Sequence, residues 1–199
     1  MVGIRRDDGR RAAGAQPVRG DKIVTALIDF LAGTGADHAG RRIDEIRSQS
    51  EGWLEARHDF IQWLFPLPEP SGANPFAPLL SAAEAGAIAA SAALADSLLR
   101  SVDTMMRLYG IRRDGAAFSR GPGFPGPFDD WLGPIDHNHL RLTRILRCLA
   151  LCGQPAAAAG LRQLLYDIAA AEALGAWGPA LRYWRDAGAR PVGWDEKTV

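Results

Sequence analysis

Residues 50–66 read S-E-G-W-L-E-A-R-H-D-F-I-Q-W-L-F-P. Ser50 belongs to the residue types whose side-chain oxygen caps a helix, and Glu51 sits where the helix dipole favours an acid. Trp53, Leu54, Phe60, Ile61, Leu64 and Phe65 follow at helical spacing, and Pro66 stops the run. The stretch predicts one amphipathic helix from Glu51 to Phe65.

The same signals recur outward from it. Asp21 can cap a helix of Ile23, Val24, Leu27, Ile28 and Leu31 that ends at Gly33, and a short helix holds Ile43 and Ile46. Ser81 and Glu84 spell a capping box before an alanine-rich helix. Leu94, Leu98, Leu99, Val102, Met105, Met106 and Tyr109 mark another, closed by Gly110. Asp136 caps a helix of Leu142, Ile145, Leu146 and Leu149 that ends near Gly153. Pro155 opens one of Leu161, Leu164, Leu165 and Ile168, and a last stretch holds Leu181, Tyr183 and Trp184. No segment alternates with the period of two that a strand requires. The expectation is an all-α fold, one compact domain of about seven or eight helices. It would span residues 21–187, between a disordered tail at 1–20 and a C-terminal tail at 188–199. Two irregular stretches interrupt it. One is a polyproline-like connector at 66–78; the other is a long Pro/Gly-rich loop at 111–134, of a length expected of a functional or mobile segment.

The chain has 199 residues, with 23 Lys+Arg against 23 Asp+Glu. A neutral balance excludes both a nucleic-acid binder held mainly by charge and an acidic tail protein. No run reaches the roughly 18 apolar residues of a membrane span. Peripheral membrane association stays open. The N-terminal Arg5, Arg6, Asp7, Asp8, Gly9, Arg10 and Arg11 lack the apolar core of a secretory leader, so a cytoplasmic location is expected. Lys22 and Lys197 are the two lysines, and with heavy use of Arg, Ala and Gly they point to a GC-rich bacterial genome. Cys148 and Cys152 lie four apart on one helix, where disulfide geometry is poor, and read as packed free thiols.

Four strings carry a resemblance. They are R-I-D-E-I-R-S-Q-S-E-G-W-L-E-A-R-H-D-F-I-Q-W-L-F-P-L-P-E-P from Arg42 to Pro70, N-P-F-A-P-L-L from Asn74 to Leu80, L-Y-G from Leu108 to Gly110, and D-H-N-H-L-R-L-T-R-I-L-R from Asp136 to Arg147. In this order and spacing the chain resembles the opioid growth factor receptor family in its short, bacterial-type form, over roughly residues 23–185. The two most distinctive strings are His58 to Pro66 and His137 to Leu146. The resemblance implies an all-helical domain. In animals it implies a receptor for an enkephalin growth-regulating peptide, associated with the nucleus and its envelope and restraining proliferation. It brings no catalytic residues with it.

Read on their own chemistry, the candidate residues divide. The His58-Asp59 pair resembles a metal-dependent phosphohydrolase signature, which needs further His and Asp ligands on other helices. On a continuous helix His58 borders the apolar face and Asp59 points elsewhere. His58 is then a hydrogen-bonded boundary histidine, a ligand contact or a metal ligand. His137 and His139 are two apart on a helix and diverge by about 200°, so they cannot chelate together. His137, Asn138 and Arg141 could form an anion or carboxylate site at the helix start, or simply cap and pack it. Arg141, Arg144 and Arg147 make a basic stripe for acids such as Asp44, Glu45, Glu55 or Asp59. Arg57 falls on the apolar face, where it would snorkel or pair with a buried acid. Trp63 and Gln62 lie away from the main apolar face, under a second packed layer or at a binding surface. The connector could stack on Trp63 while Gln62 bonds one of its carbonyls.

By subtraction, the sequence favours a non-enzymatic binding domain for a peptide or protein partner. Its surface would combine His58, Asp59, Gln62, Trp63, His137, Asn138 and Arg141 with the connector. No metal, cofactor or nucleic acid is expected. The alternative is a small-molecule enzyme built around His58, Asp59 and His137.

Overall fold

The computed structural model describes residues 25–172, 178–191 and 194. The expected N-terminal tail, the Asp21 cap and most of the C-terminal tail lie outside them. The chain runs α1 (Ala26–Leu31), α2 (Ile43–Arg47), α3 (Glu51–Ala56), α4 (Ile61–Leu64), α5 (Ala82–Ala90) and α6 (Ala92–Leu108). A hairpin, β1 (Ile111–Asp114) and β2 (Ala117–Arg120), and a 3-10 turn (Asp129–Leu132) precede α7 (His137–Leu151), α8 (Pro155–Ala171) and α9 (Gly178–Asp186).

Most helix ends obey local chemistry. Thr25 caps α1 by accepting from Ile28 N, so the first helix starts later than an Asp21 cap predicts. Ser50, Ser81 and Asp136 cap α3, α5 and α7 through their side chains, Glu84 completes the box of α5, and Pro155 opens α8. Ser91 closes α5 and caps α6, and the two helices bend by 97° there. Among the described residues no single helix is long and apolar enough to cross a membrane.

Two expectations are corrected. The helix drawn from Glu51 to Phe65 is two helices separated by non-helical residues 57–60. Arg57 is the extended C-cap of α3 and is exposed, so it neither snorkels on an apolar face nor pairs with a buried acid. The all-α fold is instead mostly helical with a small sheet, because the stretch at 111–134 is not structureless. Ile111 pairs with Arg120 and Asp114 with Ala117 across a two-residue turn in which Gly115 takes φ +58°. A glycine at the first position of a two-residue loop is a hairpin signal. Ile111 and Phe118 are the large apolar side chains beside it, too few to show alternation. Charge ties the hairpin down: Arg113 is bidentate to Asp103 of α6 (2.7 and 2.6 Å), and Arg120 reaches Glu172 at 2.8 Å. The remainder of the loop is anchored by Trp131, fully buried, whose indole donates to Pro125 O at 2.9 Å and whose ring meets Tyr109 at 5.2 Å.

The core is one continuous apolar cluster running from Leu27 of α1 to Trp184 of α9. Helix α7 sits at its centre, packed by α8, α9 and the 3-10 turn. Leu142, Ile145, Cys148 and Leu149 of α7 are fully buried, as is its C-cap Cys152. The thiols are free, 3.9 Å apart, and burial together with the neighbouring thiol pushes that of Cys148 well above its usual range.

Candidate functional site

The two most distinctive strings meet at Arg141. Its side chain is buried and lies against the break between α3 and α4. Nη2 donates to Glu55 O (3.1 Å) and Arg57 O (2.6 Å) and faces His58 Nδ1 at 3.2 Å. Nη1 donates to Glu55 Oε2 (3.3 Å) and Asn138 Oδ1 (3.1 Å). One guanidinium thus satisfies carbonyls that the ended helix leaves without intrahelical donors. The break is a tertiary construction, and it explains why a local reading drew a continuous helix.

A guanidinium can only donate, so this contact disfavours a proton on His58 Nδ1. Desolvation, then Arg141 and His137, hold the His58 pKa below that of a free histidine. Its ring stands edge-on to His137, with centroids 5.1 Å apart. His137 Nε2 comes within 3.0 Å of Glu55 Oε1, a close contact that lacks hydrogen-bond alignment.

Above this junction opens a cleft of about 510 Å³, in the size range of ligand pockets. His58, Ile61 and Gln62 line one side, and Leu140, Arg141 and Arg144 of α7 the other, with His137 at the helix start. Leu67 and Pro70 through Ala73 of the connector form a further wall. The connector is held there by pairing of Leu67 with Leu79, where Leu80 N donates to Leu67 O at 3.0 Å. No aspartate or glutamate lines the cleft. Arg144 is half-buried and donates to Phe65 O at 3.1 Å. Burial lowers its pKa, and Glu69, whose field opposes that, is ion-paired to Arg147. Among the described residues no carboxylate forms an ion pair with Arg144.

Of the residues singled out in sequence, His58, Gln62, His137 and Arg141 come together in the cleft. Three do not line it. Asp59 turns away to Arg41 (3.1 Å) and toward His38 (3.8 Å). Trp63 is buried against Phe30 and donates its indole N–H to His38 Nδ1 at 3.1 Å, so α1 and the following turn supply a layer over it, and Phe76 of the connector stacks on His38 in turn. Asn138 is buried, bonded by Tyr109 Oη at 2.9 Å and donating to Glu55 at 3.2 Å. Gln62 donates to His58 O at 2.9 Å and to Ser71 Oγ at 3.4 Å, while its Oε1 has no partner among the described residues. Beyond the expected residues the cleft takes Leu140 and Arg144 of α7, while Ser71 and Ala73 come with the connector. The signal for the first two was the spacing from His137, at i+3 and i+7 on one face of α7. Leu140 is 69% exposed on that face. Among the described residues no group of three or more His, Cys, Asp or Glu side chains is arranged to hold a metal.

Residues 40–175 match the opioid growth factor receptor (OGFr) conserved region. Over 103 residues the chain is 40% identical to the opioid growth factor receptor of Mus musculus, a match covering 50% of this chain and 16% of that protein. The Rattus norvegicus receptor is 39% identical over 103 residues (50% and 17%), and the Homo sapiens receptor 38% identical over 106 residues (50% and 15%). The matched stretch is about a sixth of the length of these relatives. No solved structure matches the chain.

Proposed function

Because the chain belongs to the opioid growth factor receptor family, its conserved region filling residues 40–175, we propose that this domain binds a peptide or an extended segment of a partner protein in the cleft between α7, α4 and the proline connector. The single observation that carries the reading is where the cleft lies: both distinctive strings and the connector supply its walls. Its chemistry supports the same reading. Apolar walls at Ile61, Leu67 and Leu140 suit side chains, and hydrogen-bonding groups at Gln62, Ser71 and Thr143 suit a peptide main chain. The curated relatives are named receptors, which fits binding rather than turnover. The enzyme alternative needed Asp59 beside His58 and His137, and Asp59 is engaged with Arg41 instead.

The test is an NMR titration of the full chain with a randomised, N-acetylated tetrapeptide library. The expected result is saturable shift changes at cleft residues such as Ile61, Leu140 and Thr143. Leu140→Arg, at an exposed position, should abolish them. Shift changes scattered over the surface, or none, would overturn the assignment.

A further inference from the structure

We infer that the cleft recognises the C-terminal carboxylate of a peptide that ends in an apolar residue, with Arg144 as the carboxylate anchor. The inference rests on the peptide-binding reading above and names the part of the ligand that sets its orientation.

The first argument is charge. The cleft wall carries two arginines and two histidines and no acid. Arg141 is consumed by Glu55, Asn138 and the backbone of the α3–α4 break. Arg147, on the same stripe, is consumed by Glu69 and by the carbonyls of Ala187 and Ala189. Arg144 donates to one neutral carbonyl, that of Phe65. A guanidinium has five N–H donors in a fixed fork and stays protonated in proteins, so Arg144 keeps donors for an incoming anion. A half-buried cation of this kind pairs strongly with a planar, bidentate acceptor.

The second argument is spacing. Leu140 and Arg144 are four residues apart on α7, so their side chains are neighbours on one helical face. Leu67 faces them from the connector. A chain-terminal residue presents its carboxylate and its side chain from one carbon atom, which matches an apolar and a cationic group set side by side. An acidic side chain carries its carboxylate at the end of its own stem and brings no apolar group with it.

The experiment repeats the NMR titration with three probe sets on the full chain. These are N-acetylated tetrapeptides ending in leucine with a free carboxyl, the same peptides as C-terminal amides, and amide-capped peptides with an internal glutamate. The free-acid set should half-saturate the cleft at a concentration at least tenfold below the amide set, with the internal-glutamate set resembling the amides. Arg144→Gln should erase the difference, and Arg147→Gln should preserve it. Should Arg144→Gln fail to fold, Leu140→Glu places a carboxylate at an exposed site beside Arg144 and should erase it equally. Equal binding of acids and amides, or a preference that survives in the Arg144 and Leu140 variants, overturns the inference and leaves the peptide-binding reading standing. A preference for the internal-glutamate set overturns the choice of a terminal carboxylate. No cleft shifts with any set would sink both.

Discussion

Removing the guanidinium of Arg141 leaves the Glu55 carboxylate, Asn138 and two backbone carbonyls without their donor in a half-buried junction. Arg141→Met should therefore cost about 3 kcal/mol in urea unfolding, at the lower end for a broken buried pair because Glu55 keeps some exposure. A double-mutant cycle separates the partners. Glu55 and Arg141 should couple by roughly 1–3 kcal/mol, whereas Asp59 and Arg141 should couple by less than about 0.5 kcal/mol, Asp59 being held by Arg41. His58 gives a second prediction. Its pKa is lower in the folded chain than in the unfolded one, so the unfolded state takes up the proton first as pH falls. The stability this brings is complete above the free-histidine value of about 6.5 and is lost as pH drops through the folded pKa. Thermal unfolding from pH 7.5 to 5 should show a steeper loss for the native chain than for His58→Gln. The carboxylates with depressed pKa values, Asp59, Glu51, Glu69 and Glu84, act in the same direction but lower in pH. Parallel curves for the two proteins would refute the assignment.

Helix boundaries set by neighbours within four residues were readable from the chain itself. Ser50, Ser81, Asp136, Pro155, Gly33 and Gly110 stand where their local chemistry places them. What the chain concealed was set at a distance. The α3–α4 break depends on Arg141, which follows Arg57 by 84 residues. The hairpin packs on α6 through β1 and on the 17-residue α8 through β2. Likewise the α7 half of the cleft follows from helical spacing, while the connector wall and the partners of Asp59, Trp63 and Asn138 come from other elements. Gly160 tests the hairpin docking. A Cβ added there would sit 1.9 Å from Ala116 O in the turn. In an ordinary helix interior, Gly→Ala gains about 0.5–1 kcal/mol. Here Gly160→Ala should instead destabilise by about 1–3 kcal/mol, as overpacking does, with amide shifts concentrated in the hairpin.

At the scale of the molecule, α7 is the hub. It is buried by α8, α9 and the 3-10 turn, it carries the arginines that hold Glu55, Phe65 and Glu69, and its exposed edge forms one wall of the cleft. Opening it requires disrupting most of the fold. Native-state hydrogen exchange should therefore be slowest at the buried positions of α7, such as Leu142, Ile145 and Leu149, near the global unfolding free energy, while the connector at Pro70–Ala73 exchanges far faster. Equal protection of the two would contradict this hierarchy. Such a division fits the binding role proposed above, with α7 as the rigid wall and the connector as the softer one.

The break at residues 57–60 has a further meaning. The sequence from Ser50 to Pro66 carries the apolar spacing of a single rod, and in the folded domain Arg141, from another part of the chain, bonds the carbonyls at its bend. A synthetic peptide of residues 49–66 in a helix-promoting solvent should show uninterrupted helical nuclear Overhauser contacts across Arg57 to Phe60. The rod would rotate His58 about its axis and carry it off the cleft wall. One arginine therefore holds the bend, and the place of His58 on the cleft wall depends on a residue of another helix.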